Sequence, residues 1–263
     1  IRRMPDGLKA VLIITHAGKI EKIKSRIMPH QIDLNDVSAF LRQCSAQYIM
    51  PRYQTLQDHE VDTKTGPGDL VTVADRETEI ALEGVLPQLY PGSMVIGEEG
   101  VSEGRVSTES LQDTDQVFWV VDPVDGTYNF RHGKRHFAVM VALVEYGEVT
   151  ASWIYDVIGD SMLVSQKGSG TYIDDDRIML SPQPKAFEEL VGYAYYSVRP
   201  HIEALTEKVE AIETLRCSAH EYIKLVKGEV DFGAYSRCRP RDHLAGTLAL
   251  HEAGGKVQRW CEN

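Results

Sequence analysis

Two carboxylates directly follow a strongly apolar run near the middle of this chain. Residues Val117–Val121 have the composition of a buried strand, and the segment Asp122–Thr127 (Asp-Pro-Val-Asp-Gly-Thr) comes next. A carboxylate beside a core is costly unless a cation neutralises it. Because oxygen ligands on a tight turn suit a hard cation such as Mg²⁺, the segment predicts a metal site. A polar turn after a strand is the alternative, since Asp, Pro and Gly are common turn residues.

The composition is that of an ordinary globular protein. The 263 residues suffice for one large or two smaller domains, and 43% of them are hydrophobic. A formal net charge of −11 argues against a nucleic-acid partner, which would require a basic face. The 4 cysteines include no Cys-x-x-Cys pair, which favours a reducing cytoplasm. No apolar stretch is long enough to cross a membrane, so we expect no membrane partner.

The chain begins with a basic segment and with Ile1 instead of a methionine. Its short apolar run, Val11–Ile14, follows positive charges but is too short for a signal peptide. We expect residues 1–27 to be an N-terminal extension, disordered or artefactual, with Met28 as the natural start.

Periodicity divides the rest of the chain into two regions. Residues 28–181 predict an α+β domain with helices over 33–48 and 75–89, a mobile loop over 100–115 and a hairpin around Gly147. Near Ser181 the character changes, and residues 182–263 predict a smaller α/β domain of alternating strands and helices. Its expected strands lie near 190–195, 213–217 and 230–235, and its expected helices near 200–211, 218–227 and 243–253.

Acidic side chains stand at the ends of several predicted elements. Glu98, Asp122 and Asp125 follow strands, as does Asp75, whereas Asp242 opens a helix. Ligands at element ends suit a rigid metal site, because the backbone fixes their positions. Ordinary structural roles are the alternatives: a helix cap for Asp75 and Asp242, and a surface turn for Glu98 with Glu99. The acidic run Asp174–Asp176 indicates a solvated turn.

The order and spacing of these residues resemble the inositol monophosphatase family of metal-dependent phosphomonoesterases. The resemblance covers roughly residues 37–257 and rests on separated motifs: Lys64 with Gly68–Thr72 and Asp75, Ile96–Glu99, Asp122–Thr127, Asp242–Gly246 and Glu252–Gly255. It implies an α/β (α+β) fold, a layered αβαβα sandwich of the sugar-phosphatase type. Residues 28–181 would then carry most metal ligands, and residues 182–263 the substrate-side residues and Asp242.

The resemblance also implies a set of roles. Glu98, Asp122 and the Val124 carbonyl would hold a first Mg²⁺, and Asp122, Asp125 and Asp242 a second; Glu98 would contribute to a weaker third. The catalytic residues would be Asp75, Thr127 and Glu98, with Thr127 and Asp75 orienting and deprotonating the attacking water. The substrate contacts implied or inferred are Asp125, Gly126, Thr127, Ser218, Ala219, Tyr235 and Arg241, with Lys64 and Glu99 in support.

Some positions depart from the family pattern. Arg241 stands where tryptophan is frequent, and it would either contact an anionic substrate or be a neutral surface change. Tyr235 stands where inositol-cleaving members tend to carry a glutamate, which weakens the case for inositol phosphate itself. Ser218 and Ala219 would contact the sugar or serve only in packing. The chain ends soon after Gly255, so we expect the family's last strand or helix to be missing or replaced.

We therefore expect Mg²⁺-dependent, Li⁺-sensitive hydrolysis of a small phosphate monoester, inositol-phosphate-like, by a cytoplasmic homodimer. Histidinol phosphate, fructose 1,6-bisphosphate and adenosine 3′,5′-bisphosphate are alternative substrates. A protein-binding regulatory relative without catalysis is a second class, and a Ca²⁺-binding structural module is a third. The sequence contains no contiguous ligand loop of the EF-hand kind, which argues against the Ca²⁺-binding module.

Overall fold

The computed structural model describes residues 10–14, 32–63, 70–181, 185–195, 197–203, 207–212, 214–236 and 238–260. The helices are α1 Leu34–Cys44, α2 Val73–Leu89, α3 Glu98–Ser102, α4 Thr127–Arg131, α5 Ser218–Val226 and α6 Pro240–Glu252. The strands are β1 Ala10–Ile14, β2 Val61–Thr63, β3 Leu70–Thr72, β4 Met94–Gly97, β5 Phe118–Asp125, β6 Ala138–Glu145, β7 Glu148–Asp156, β8 Ser161–Gln166, β9 Gly170–Ile173, β10 Asp176–Ile178, β11 Val191–Ala194, β12 Glu210–Ile212, β13 Phe232–Tyr235 and β14 Lys256–Trp260.

A seven-stranded sheet forms the centre of the molecule, in the order β10-β9-β8-β7-β6-β5-β4. Its neighbouring strands are antiparallel except for β4 and β5, which are parallel. The β5–β6 register is interrupted between Asp122 and Asp125, and Asp125 pairs again with Ala138. The predicted Asp-Pro-Val-Asp turn is therefore a break within the ladder of a buried strand. Both carboxylates are held by the sheet itself.

Side chains on both faces of this sheet are buried, which explains why the run before Asp122 is apolar at every position. Trp119 and Val121 pack in a core with α1 and α2, whereas Phe118 and Val120 pack in a second core with α5 and α6. Trp119 lies 5.9 Å from Trp153 between ring centroids, and both rings are fully buried. A strand that is buried on both faces has no polar alternation to show.

A five-stranded sheet lies beyond α5 and α6, in the order β12-β11-β13-β1-β14. Strands β11, β12 and β13 are parallel, and β1 is antiparallel to both of its neighbours. The described layers therefore run helix, sheet, helix, sheet, which are four of the five layers of the predicted αβαβα sandwich. The seven-stranded sheet comes wholly from residues 94–178, but the division into domains near residue 181 stays a prediction.

Two predictions about the chain ends need correction at particular residues. Ala10–Ile14, which we assigned to an extension, form the strand that joins β13 to β14. Their apolar, β-branched composition suits a strand with neighbours on both sides. At the other end, a strand over Lys256–Trp260 does follow Gly255.

Most predicted elements are confirmed, with shifts at their ends. Asp33 caps α1 by accepting a hydrogen bond from the Asn35 N–H at 2.8 Å. The hairpin turn lies at Tyr146–Gly147, where both residues have positive φ. The predicted mobile loop over 100–115 is wrong in part, because it contains the end of α3 and a short helical turn at Thr108–Gln112. The strand expected near 213–217 instead lies at Glu210–Ile212. The helix expected near 200–211 is therefore wrong at its C-terminal end, where residues 207–209 form a turn before this strand.

No helix in the part of the chain that the structure describes is long and apolar enough to cross a membrane.

Candidate active site

Asp122 lies at the break in β5 and is buried, with 3% of its surface exposed. Among the described residues, its Oδ1 atom has no hydrogen-bond partner. Burial raises the Asp122 pKa well above its ordinary value, and the charges of Glu98, Asp125 and Asp242 raise it further. Only the charge of Arg241 acts in the opposite direction among the main causes. A buried carboxylate oxygen without a donor in this setting has the chemistry of a cation ligand.

Asp125 reaches across to the N-terminus of α5. Its Oδ2 atom accepts a hydrogen bond from the Ala219 N–H at 2.6 Å and lies 3.1 Å from the Cys217 Sγ. Burial raises the Asp125 pKa to about 7, against the hydrogen bond from Ala219, and the charge of Asp242 adds to the rise. The end of β5 is thereby fixed to the substrate-side helix predicted from the sequence.

Asp75 and Thr127 form the pair that the resemblance predicts. The Thr127 Oγ1 lies 3.0 Å from the Asp75 Oδ1 and 3.0 Å from the Val124 carbonyl oxygen. The other oxygen of Asp75, Oδ2, accepts hydrogen bonds from the backbone N–H and the hydroxyl of Thr72, at 2.8 and 2.5 Å. Asp75 therefore caps α2 and contacts Thr127 at the same time, one role for each oxygen. Its burial raises its pKa to about 7.

Glu98 and Glu99 begin α3 directly after β4, and a buried carboxylate holds their turn. The Glu79 side chain accepts hydrogen bonds from the Glu99 and Gly100 N–H groups at 2.8 and 2.6 Å. Gly97 is required beside it, because a Cβ at that position would lie 2.2 Å from the Glu79 Cδ. Glu79 lies one helical turn after Asp75 on α2, so a single helix supports both sides of the site.

Asp242 lies in the first turn of α6, behind Arg239 as the capping residue and Pro240 as the first helical residue. The helix-cap alternative for Asp242 is therefore not what the structure has. Burial raises its pKa, and the charge of Arg241 opposes that rise. The guanidinium of Arg241 pairs with Glu98, with 2.9 Å between Nη2 and Oε1, and its Nε lies 3.4 Å from the Asp242 Oδ1.

Of the remaining predicted site residues, Ser218 and Gly126 pack against neighbouring groups near β5 and β6, and Tyr235 is buried elsewhere. The Ser218 hydroxyl lies 3.5 Å from the Met140 sulfur, and Gly126 has a φ of 91° beside the His136 carbonyl, which excludes a side chain there. Tyr235 is buried among the rings of Tyr222 and His243 instead of facing an open site. Lys64 lies outside the described residues.

The donor set fits a divalent metal in its chemistry, although its side chains do not converge. The orphaned Asp122 oxygen and the mutual charge effects among the carboxylates call for a cation. Yet within residues 32–63, 70–181 and the later described ranges, no three Asp, Glu, His or Cys side chains form a group arranged to hold a metal ion. The pairing of Glu98 with Arg241 accounts for part of this difference, because it engages one carboxylate with a guanidinium.

Sequence reasoning missed three contacts of this site. They are the Glu79 carboxylate under the Glu98 turn, the Cys217 thiol beside Asp125, and the Arg241–Glu98 pair. A glycine directly before two glutamates is a faint signal for the first, since it indicates a close approach to the backbone. Nothing local in the sequence indicates the other two.

We predict that Glu79→Ala destabilises the protein and loosens the Glu98 turn. Two buried N–H groups would lose their acceptor, and each unsatisfied group costs about 1–3 kcal/mol. The expected loss in the free energy of unfolding is therefore about 2–6 kcal/mol, measured by urea denaturation. Glu83→Ala is the matched control, because the half-buried Glu83 pairs with the surface residue Arg105 and should cost under about 1 kcal/mol. Equal losses in the two variants would contradict the prediction.

We predict that the metal-free protein becomes less stable as the pH rises from 5 to 8. Burial raises the pKa values of Asp75, Glu79 and Asp125 to about 7, so the folded protein retains protons that the unfolded chain releases above pH 4. Where the folded state binds more protons, the free energy of unfolding falls with rising pH. His220 acts oppositely, since burial lowers its pKa, but it is a single group. Calorimetry in EDTA should show a Tm decrease of about 5 °C or more; a flat or rising Tm would contradict it.

Three comparisons with known proteins identify the family of this chain. The inositol monophosphatase family matches residues 34–263. An inositol-1-monophosphatase of Bacillus subtilis is 28% identical over 223 residues, 82% of this chain and 81% of that protein. The fructose-1,6-bisphosphatase/inositol-1-monophosphatase of Thermotoga maritima is 31% identical over 201 residues, 75% of this chain and 74% of its own length. Among solved structures, a Thermotoga maritima IMPase superposes with a TM-score of 0.71 at 29% identity, covering 84% of this chain and 83% of that one. The chain therefore belongs to the inositol monophosphatase family, and it is a phosphatase of the hydrolase class.

Proposed function

We propose that this chain hydrolyses a small phosphate monoester, inositol-phosphate-like, with Mg²⁺ as its cofactor. Two observations carry the proposal: a hydroxyl–carboxylate pair next to the end of β5, and an orphaned carboxylate oxygen within β5. The Thr127 Oγ1 and Asp75 Oδ1 atoms lie 3.0 Å apart, and the Asp122 Oδ1 has no donor among the described residues. Family membership supports phosphomonoester hydrolysis, and the family is generally metal-dependent.

The residues divide the work of hydrolysis between them. Glu98, Asp122 and the Val124 carbonyl would hold one Mg²⁺, and Asp122, Asp125 and Asp242 a second. When bound, Mg²⁺ supplies Lewis acidity and neutralises charge during the in-line displacement at phosphorus. Threonine is too weak a base to act alone, so the Thr127 hydroxyl accepts from the attacking water while it donates to the Asp75 Oδ1.

Asp75 is suited to the role of proton acceptor. Its carboxylate is buried, and burial together with the charges of Glu98 and Glu99 raises its pKa to about 7. A base with a pKa near neutrality combines a useful deprotonated fraction with a strong drive to take the proton. Its second oxygen is engaged by Thr72, which keeps the first one directed at Thr127.

For the substrate we propose a chemical class, with two candidates. A small phosphorylated polyol is the substrate that the family name supports, and the name of the Thermotoga maritima relative adds fructose 1,6-bisphosphate as a second candidate. We further propose Li⁺ sensitivity, a homodimer and a cytoplasmic location, all from family resemblance alone.

Phosphate release from a panel of phosphomonoesters tests the proposal. The panel holds inositol 1-phosphate, histidinol phosphate, fructose 1,6-bisphosphate and adenosine 3′,5′-bisphosphate, each with Mg²⁺, with EDTA, and with Mg²⁺ plus Li⁺. Turnover that requires Mg²⁺ and falls with Li⁺ supports the proposal and names the substrate. A folded protein that binds Mg²⁺ and turns over no panel member would favour a protein-binding role.

A further inference from the structure

The Arg241 guanidinium lies inside the acidic centre instead of on the protein surface. Its side chain is 15% exposed, and that of Glu98, with which it pairs, is 12% exposed. The Nη2 atom is 2.9 Å from the Glu98 Oε1, and the Nε atom is 3.4 Å from the Asp242 Oδ1. One guanidinium therefore spans two of the carboxylates that we assign to the metal ions, which come from α3 and α6.

The charge of Arg241 acts on both of these carboxylates. Its guanidinium lies 2.9 Å from Glu98 and 3.4 Å from Asp242, so one positive charge faces two negative ones. A guanidinium stays protonated at any working pH, so this positive charge is permanent.

A cation in this position performs part of the work of a divalent ion. It neutralises Glu98 and Asp242 and engages an oxygen that a metal would otherwise ligate. The lack of a converged ligand group among the described residues agrees with this arrangement. A neutral side chain at position 241 would leave both carboxylates without this guanidinium.

We propose that Arg241 is a resident cation of the active site, which takes the place of the weaker third divalent ion beside Glu98 and leaves the two Mg²⁺ ions assigned above in place. The proposal rests on the proposed function in one respect, that the carboxylates of this centre bind Mg²⁺. It assigns Arg241 to the enzyme's own electrostatics, and thereby replaces the substrate contact expected from the sequence. The chain then binds one divalent ion fewer than it would with an uncharged residue at 241.

Metal counting gives the first test. Mn²⁺, a paramagnetic probe, is titrated into metal-free protein at pH 8, and free Mn²⁺ is read by electron paramagnetic resonance. We expect Arg241→Gln to bind one more Mn²⁺ per chain than the wild type, and Arg241→Lys, which retains the charge, to match the wild type. Equal stoichiometry and affinity in all three proteins would overturn the proposal.

Stability without metal gives the second test, which does not depend on activity. In EDTA at pH 8, Arg241→Gln should lower the Tm by about 4 °C or more, because Glu98 and Asp242 lose the guanidinium that lies between them. Adding Glu98→Gln to that variant should recover most of the loss, since the pair is removed together. An unchanged Tm, or losses that simply add, would overturn the proposal.

The two tests also separate this inference from the proposed function. One outcome is a higher Mn²⁺ count in Arg241→Gln while the wild type releases phosphate from no panel member. It would support the resident cation and reject phosphatase activity toward those substrates. An unchanged count and an unchanged Tm, with a raised KM and normal turnover, would reject the resident cation and restore Arg241 as a substrate contact.

Discussion

Asp122→Asn is expected to abolish turnover while it stabilises the metal-free protein. Asp122 is the one carboxylate assigned to both metal ions, so its loss removes several kcal/mol of transition-state stabilisation, or about 10³-fold or more in rate. In the absence of metal, the same carboxylate is buried among like charges that raise its pKa well above the ordinary value. Neutralising it relieves that repulsion, and we expect the Tm in EDTA at pH 8 to rise by about 3 °C or more.

The opposite directions of the two effects make the test sharp. Phosphate release measures the first, and calorimetry with and without Mg²⁺ measures the second; the Tm gain from added Mg²⁺ should shrink in the variant. Asp175→Asn is the matched control, because Asp175 is an exposed acid with a φ of 72° in the turn between β9 and β10, where asparagine is tolerated. More than a tenth of wild-type turnover in Asp122→Asn, or a lower Tm in EDTA, would contradict the assignment.

The carboxylates of the site could be predicted because the reasons for their positions are local. The apolar run before Asp122 indicates a buried strand, and the two carboxylates of the Asp-Pro-Val-Asp-Gly-Thr segment directly after it favour a site over an ordinary polar turn. The observed register break between Asp122 and Asp125 is the structural form of that conflict. The sequence also predicts a capping role for Asp75, since its capping partner Thr72 lies only three residues before it.

Contacts between distant segments could not be predicted in this way. The Arg241–Glu98 pair joins residues 143 positions apart, and the Cys217–Asp125 contact joins residues 92 positions apart. Each depends on how α5 and α6 pack against the seven-stranded sheet, which no local pattern specifies. Tyr235 shows the same limit: its position in the sequence favoured a substrate contact, but packing against Tyr222 and His243 buries its ring.

The position of Ala10–Ile14 in the five-stranded sheet could not be predicted for a different reason. A five-residue apolar run in a basic segment carries no information about partners 218 or more positions away along the chain, and the order β13-β1-β14 depends on two antiparallel pairings at once. Such long-range pairing is set by the whole sheet, because a strand with two neighbours needs both of their free edges.

Thr127→Ala is expected to reduce turnover by about 10²- to 10⁴-fold without changing how many metal ions bind. The Thr127 hydroxyl is the link between the attacking water and the Asp75 Oδ1, 3.0 Å away, and alanine breaks that link. Its backbone and the metal-binding carboxylates remain in place. Thr127→Ser is the matched control, since it retains the hydroxyl and should stay within about tenfold of the wild type.

Asp75→Asn should reproduce the loss in Thr127→Ala, because the two residues act as one proton-transfer unit. Residues that act as a unit give non-additive losses, so the double variant should be no slower than the slower single variant. Asp75 also caps α2, so a cap loss of about 1 kcal/mol must be measured separately by urea denaturation. Turnover from single-turnover phosphate release and Mn²⁺ counts from titration distinguish the outcomes. Losses that multiply in the double variant would mean that Thr127 and Asp75 serve separate steps, and the proton path from water through Thr127 to Asp75 would have to be abandoned.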